Sequence, residues 1–293
     1  MHKFLKAAGF SAYDTEKSVY DLLKQKVARP ENLRYRLILD DGSQLREYRL
    51  PVNPCVGLCA VFLALPGEGE QLYYYYPYYN SYSISSSELC ILERHTATET
   101  YEGIIDEYAA GLSMIFFVNN PMLHRHRYRD MDESEADYHG VDLTAFANEG
   151  MVLLPTAFGE ELFPGMEFAR EMEQQSLIDA ARNGDEDAMD TLNEADLAMY
   201  KLVQSRMEDE DLYSVVEQSF MPSGAECDQY SVIAEILEVN ESINDMTREE
   251  LWLLRLNCNS VDFYLCIRKD DLLGVPEEGR RIKSRIWMQG RLE

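Results

Sequence analysis

The stretch LYYYYPYYNSYS, residues 72–83, holds seven of the chain's nineteen tyrosines within twelve positions. A tyrosine offers a flat apolar ring with a polar tip, the chemistry that stacks sugars, bases and other planar ligands. At strand spacing, Tyr74, Tyr76 and Tyr78 share one face while Tyr73, Tyr75 and Tyr79 take the other. Pro77 has no N–H to donate, which places this strand at a sheet edge or a bulge. Two readings follow: a ligand platform built on Tyr74, Tyr76 and Tyr78, or an edge strand whose rings simply pack. Residues 66–93 contain no Lys or Arg, so phosphates would find no counter-charge there. The packed edge strand is the favoured reading.

A second candidate is RRIKSRIWMQGR, residues 280–291, where charge runs against the chain's average. Arg280, Arg281, Lys283 and Arg285 beside Trp287 form a pattern that binds an anion or a strand of nucleic acid. The alternative, favoured here, is that these cations neutralise acidic segments of the same chain. A third candidate, HRHRYRD at 124–130, puts His124 and His126 on one face if it is extended. Only Asp130 or His139 stands close enough in sequence to add a third metal ligand, and the interleaved arginines repel a cation. A mixed-charge surface loop is expected there, with no metal and no cofactor.

Signatures of catalysis are missing. No phosphate-binding glycine loop, nucleophile elbow or paired-histidine zinc motif occurs. Carboxylate pairs such as those in DEDAMD, 185–190, are diluted in meaning by 53 Asp and Glu residues. His95 near Cys90 has nothing further to mark it as a catalytic pair. The six cysteines form no CxxC pair, and most sit in apolar runs such as NPCVGLCAVFLAL. Buried reduced thiols of this kind predict a reducing compartment rather than a disulfide framework.

The 293 residues and 46% hydrophobic content suit a globular chain of two or three units. The best candidate for a membrane span, AAGLSMIFFV at 109–118, is half the length a membrane helix needs. The opening MHKFLKAAGF is too weakly apolar for a signal peptide. A cytoplasmic location is therefore expected. The net charge of −26 is concentrated in residues 160–250 and repels phosphate backbones and anionic membranes.

These candidates must be positioned by elements of both kinds. Asp14 or Thr15 can cap a helix over 14–27, where Val19, Leu22, Leu23 and Val27 recur at helical spacing. Asp41-Gly42 between alternating runs predicts a hairpin over 33–52, and a second pair joins 57–65 to the tyrosine run. Further strands are expected at 89–95, 112–118, 141–147 and 151–154, while 99–109 fits either a short helix or an edge strand. From Pro164 the pattern is helical and acidic. Strands return at 230–239, 250–256, 261–267 and 280–288, with a helical turn at KDDLLG. Four strands are one short of an OB barrel.

Three stretches, MHKFLKAAGF, AGLSMIFFVNN at 110–120, and the C-terminal FMPSGAECDQYSVIAEILEV with VPEEGRRIKSRIWMQGRL, resemble an uncharacterised family. It is the domain of unknown function numbered thirty-eight eighty-one, found in anaerobic Firmicutes. The resemblance spans the chain and implies a bacterial cytosolic origin, without any activity or site residue.

The expected fold is thus α+β: a mainly antiparallel β domain over 1–155, an acidic helical segment over 160–219, and a small Greek-key, OB-like barrel over 226–293. The expected function is non-enzymatic binding or regulation. The alternatives are an enzyme acting on a small or sugar-like substrate near the tyrosines, and a nucleic-acid module working through the C-terminal strands. Partners are left open, a protein among them, with membrane and nucleic acid disfavoured.

Overall fold

The computed structural model describes residues 2–39, 41–65, 67, 69–94, 99–107, 111–127, 138–153, 216 and 218–292. The fold is mostly β with few helices. Thr15 caps the first helix, α1 (Glu16–Leu22): its Oγ1 accepts from the Ser18 N–H at 3.1 Å, and the Ser18 side chain answers the Thr15 N–H. One π-helical turn, Leu23–Val27, extends it, and Val19, Leu22, Leu23 and Val27 are all buried.

The predicted hairpin is β1 (Leu33–Ile38) with β2 (Gln44–Pro51). Gly42 turns the chain at φ +82°, and the Asp41 carboxylate accepts from the Ser43 N–H at 2.9 Å. Next come β3 (Val56–Ala64) and β4 (Glu70–Tyr79), which complete a four-stranded antiparallel sheet in the order β1-β2-β3-β4. β3 is buried from Val56 to Phe62 without alternation. One of its faces meets the π turn, and the other turns with Cys59 and Tyr76 towards the second sheet.

The second sheet has ten strands: β5 (Ser86–Arg94), β6 (Tyr101–Glu107), β7 (Leu112–Val118), β8 (Tyr138–Val152), β9 (Ser219–Pro222), β10 (Gln229–Ile243), β11 (Glu250–Cys258), β12 (Val261–Arg268), β13 (Leu272–Leu273) and β14 (Arg281–Leu292). Their pairings close on themselves. The sequence β8-β12-β11-β10-β14 returns to β8, and so does β8-β5-β6-β7-β14. The antiparallel β8–β14 pair is common to both rings and runs from Val141↔Leu292 to Val152↔Ile282.

The strand pairing departs from the expected layout. The four strands of 226–293 do not stand apart, because β8, from residues 138–152, supplies the fifth member of their ring. Residues Met1–Val152 and Gln218–Glu293 form one compact unit. The predicted strands at 141–147 and 151–154 are one continuous β8, and the undecided 99–109 contains strand β6. The helical expectation for 160–219 lies almost wholly outside the described residues; its last residue opens β9. Among the described residues, no helix is long and apolar enough to cross a membrane.

The two sheets are joined by side-chain amides. Gln289 of β14 donates to the Pro77 carbonyl at 2.7 Å and accepts from the Tyr79 N–H at 3.2 Å, so its amide pairs with β4 as a strand would. Asn119, just after β7, donates to the Tyr79 carbonyl at 2.9 Å, and Thr144 donates to the same oxygen at 3.0 Å. Asp142 accepts from the Ser81 and Tyr82 N–H groups at 3.0 and 2.9 Å. Pro77 thus lies at the edge of the first sheet, as its missing N–H requires.

Packing inside the second sheet turns on one ring. Phe116 of β7 lies across Gly103 of β6 and Gly290 of β14, where an added Cβ would fall 2.3 and 2.2 Å from ring carbons. Glycine is required on both sides because the ring occupies the space of a side chain. Gly290→Ala is expected to cost about 1–3 kcal/mol of unfolding free energy. Phe116→Leu in that background should recover part of the loss in a double-mutant cycle followed by urea denaturation.

Candidate functional site

The open edge of β4 determines the site. Val61 pairs with Tyr74 and Phe62 with Leu72, so Tyr73 is an extra, bulged residue. Beyond the bulge, Tyr74 and Tyr76 share a face with ring centroids 6.1 Å apart and planes within 18°. Their hydroxyls donate to the Glu99 and Asn119 carbonyls at 3.0 and 3.1 Å. Burial raises both phenols well above the ordinary tyrosine range, so both stay protonated. Tyr75 is reached from the chain's start, where the His2 N–H donates to its hydroxyl at 2.9 Å.

Facing these rings, β14 brings Trp287, opposite Gln229 of β10. Its indole stacks on Phe4 at 5.5 Å and lies 4.6 Å from His2 and 5.3 Å from Phe117 of β7. Its Nε1–H donates to the Asp228 carboxylate at 2.6 Å. Between them is a cavity of about 600 Å³ whose apolar wall is Phe4, Tyr74, Tyr75, Tyr76, Phe117 and Trp287. The polar lining comes from His2 and Lys3, from Thr100 and Glu102 at the start of β6, and from residues 226–229 that lead into β10. Six separate stretches of chain therefore meet at one hollow.

The polar side is acidic. Burial raises the Asp228 carboxyl to about 6, and the Glu102 charge adds to this, while the Trp287 hydrogen bond opposes it. Burial also raises the Cys227 thiol, which donates to the Glu102 carboxylate at 3.3 Å. His2 is pushed down to about 4, chiefly by burial and further by Lys3, so its imidazole is neutral at pH 7. Lys3 pairs with Glu226 at 2.7 Å at the wetter rim.

The candidates from sequence are distributed unevenly. Tyr74, Tyr76 and Trp287, drawn from two separate motifs, line the same cavity. Tyr78 lies farther along β4, buried beneath the Arg49 guanidinium at 4.9 Å, where its hydroxyl occupies the space a side chain on Gly57 would need. Arg280 lies 3.7 Å from Glu277, and Arg281 is buried opposite Glu235. Lys283 and Arg285 line a smaller hollow of about 290 Å³ together with Glu149. The basic strand thus brings its tryptophan, and not its cations, to the aromatic cavity.

HRHRYRD begins in a helix, α2 (Pro121–Arg127), instead of the mixed-charge surface loop expected, with Pro121 at its first position. His124 is buried against the Tyr101 ring, whereas His126 is exposed near Tyr35. Asp130 lies outside the described residues. All six cysteines are free thiols, four of them buried.

A family profile described as a domain of unknown function from an E. rectale gene, DUF3881, matches residues 5–290. The chain belongs to this family. No curated protein and no solved structure matches it significantly. The span shared with DUF3881 includes Tyr74, Tyr76, Glu102, Asp228 and Trp287.

Two titrations in the cavity oppose each other. Asp228 holds its proton more tightly when folded, so its contribution to stability rises as pH falls from about 6 towards its ordinary 3.8. His2 holds its proton less tightly when folded, so its contribution is lost as pH falls from 6.5 towards about 4. Their effects largely cancel in the native chain. Asp228→Asn should therefore be more stable than the native protein at pH 7 and lose that advantage near pH 4. His2→Gln should show the reverse, gaining on the native protein as pH falls; urea unfolding across this range reads both.

Proposed function

We propose that this protein binds a small organic molecule, without chemistry on it, in the cavity between the tyrosine edge of β4 and Trp287. The observation that carries this reading is the cavity itself. Its volume of about 600 Å³ lies within the roughly 300–1,000 Å³ of small-molecule sites, and a mostly aromatic wall with a few convergent polar groups is their usual composition. The Cys227 thiol, raised in pKa beside Glu102, is the opposite of an activated nucleophile.

One observation favours the enzymatic alternative. A carboxyl raised to about 6, as at Asp228, is suited to general acid catalysis on a small or sugar-like substrate. Nucleic acid has weaker support. The five-strand ring of β8, β12, β11, β10 and β14 favours an OB-like barrel reading of that part, but carboxylates line the aromatic cavity. Free, largely buried thiols support a cytosolic setting for the binding.

The chain has two tryptophans, and Trp252 lies elsewhere, beneath the Lys269 ammonium at 4.4 Å. In a Trp252→Phe variant, emission reports on the cavity alone. A library of small aromatic and aliphatic fragments should contain members that shift this emission. At ten times their dissociation constant, these should raise Tm by about 2–4 °C. Tyr75→Ala should weaken them about tenfold. A library with no binder up to millimolar concentration, or binders indifferent to Tyr75→Ala, would remove the reading.

A further inference from the structure

We propose that the ligand of this cavity is a short extended peptide, one residue of which pairs through its main chain with Tyr75 at the edge of β4. This deepens the cavity reading and rests on it. Three observations on that edge point the same way.

The first is where the hollow meets the strand. Tyr74 and Tyr76 share one face of β4, while Tyr75 turns to the other, where it also lines a hollow beside Val19 and Tyr20 of α1. All three nevertheless line the cavity together with Trp287. A hollow that touches side chains from both faces of a strand must cross the strand's edge. The cavity therefore opens on main chain as well as on rings.

The second is the phase of that main chain. Along one antiparallel partner, alternate residues turn their N–H and C=O towards it and the residues between turn theirs away. Asn80 turns towards β3, its N–H donating to the Cys55 carbonyl at 2.9 Å. Pro77 and Tyr79 turn outwards, where the Gln289 amide meets their C=O and N–H at 2.7 and 3.2 Å. Tyr75, opposite Ala60, is in the same outward phase two residues before Pro77. Its N–H and C=O thus point past the edge, on the cavity's side. Among the described residues, nothing bonds to them there. A guest without an amide would strip water from both groups and return nothing, leaving them unpaired. A peptide residue presents one N–H and one C=O at the matching spacing, as strand addition does. Gln289 makes the same exchange one step along the edge.

The third is length. Towards the C-terminus, Gln289 already occupies the edge at Pro77 and Tyr79. Towards the N-terminus, the bulge at Tyr73 breaks the register, and a bulge twists an edge away from further pairing. Between these limits one residue can pair. That suits a short peptide and not the edge of another sheet. The groups flanking the paired residue meet the apolar wall of Phe4, Phe117 and Trp287.

Calorimetric titration of the full chain with N-acetyl amino acid N-methylamides bearing phenylalanine, leucine or valine side chains tests the inference. At least one should bind with a Kd of about 1 mM or below. Its analogue with an ester oxygen in place of the residue's N–H keeps the shape but loses the donor to the Tyr75 carbonyl. That ester should bind about tenfold more weakly. On the protein side, Tyr75→Ala and Tyr75→Pro both lose the ring, but only the proline loses the N–H. Pro77 shows that a proline in this phase costs β3 no hydrogen bond. Tyr75→Pro should therefore fold, and should bind the amide at least about fivefold more weakly than Tyr75→Ala. Should it fail to fold, hydrogen exchange of the native chain reads the same bond. Saturating amide should slow exchange at the Tyr75 N–H at least about fivefold and leave Tyr76, already paired with β3, within about twofold. An ester as tight as the amide, equal binding by the two variants, or unchanged Tyr75 exchange overturns the peptide while leaving the cavity reading intact. If no blocked residue binds but other fragments still shift Trp287 emission, the peptide is again the part that fails. If no fragment binds either, both readings fall together.

Discussion

Strand β14 carries more of this structure than any other element because its residues serve different neighbours in turn. Its backbone pairs with β10, β8 and β7. Trp287 enters the aromatic cavity, Gln289 closes the edge of the other sheet, and Gly290 makes room for Phe116. The binding constraint is the Gln289 amide. It presents one donor and one acceptor at the spacing of a backbone, to a strand edge that would otherwise bury a carbonyl and an N–H without partners. A buried unpaired polar group costs about 1–3 kcal/mol, so two at one junction would offset much of a domain's net stability of roughly 5–15 kcal/mol. Asn120 repeats the device at the strand's end, exchanging both hydrogen bonds with the Leu292 backbone at 2.8 and 3.1 Å.

That seam explains how polar side chains come to lie deep in a β protein. Thr144, Asn119, Asp142 and Gln289 are fully buried, yet each meets a backbone group of the segment 77–82. Arg49 adds its guanidinium to the Asn119 carbonyl while pairing with Glu47 at 2.7 Å, which holds its charge in place despite burial. Such networks fix how two surfaces meet more sharply than apolar contacts do, because a shifted register would leave several groups unpaired at once.

Local chemistry was legible in the sequence wherever the cause was local. Asp41-Gly42 marks its hairpin because the turn needs the positive φ that glycine accepts, and Thr15 caps α1 with a partner three residues away. Pro77 marks an edge because it lacks a donor. Long-range causes left no such trace. Gly150 breaks the apolar pattern and divides the apparent strands at 141–147 and 151–154. An added Cβ there would crowd the ends of the Ile267 and Leu272 side chains at 3.1 Å, and β8 runs straight through the position. Gly103 makes YEGIIDE ambiguous for a similar reason, since the ring that requires it lies on β7. The alternation in HRHRYRD imitates a strand, while Pro121 opens a helix there. Of the site, the tyrosines and Trp287 stood out by type and clustering. Phe4, Glu102 and Asp228 did not, because their meeting depends on ring closure through β8 and β14.

The tyrosine run is thus an edge strand whose two ends have different fates, divided at Pro77. On the C-terminal side, the Gln289 amide takes the Pro77 carbonyl and the Tyr79 N–H, and Tyr78 and Tyr79 are buried. On the N-terminal side, that amide is past its reach: Tyr76 is still buried, and with the half-buried Tyr74 it lines the cavity on the side away from the seam. Two candidate residues that line the cavity and both pack on Phe117, Tyr76 and Trp287, lie one and two positions from the residues that lock the sheets together, Pro77 and Gln289. A shift of the seam would move both walls of the cavity at once. Its width is therefore set by backbone-strength pairing on rigid strands, the placement that holds a binding geometry most firmly.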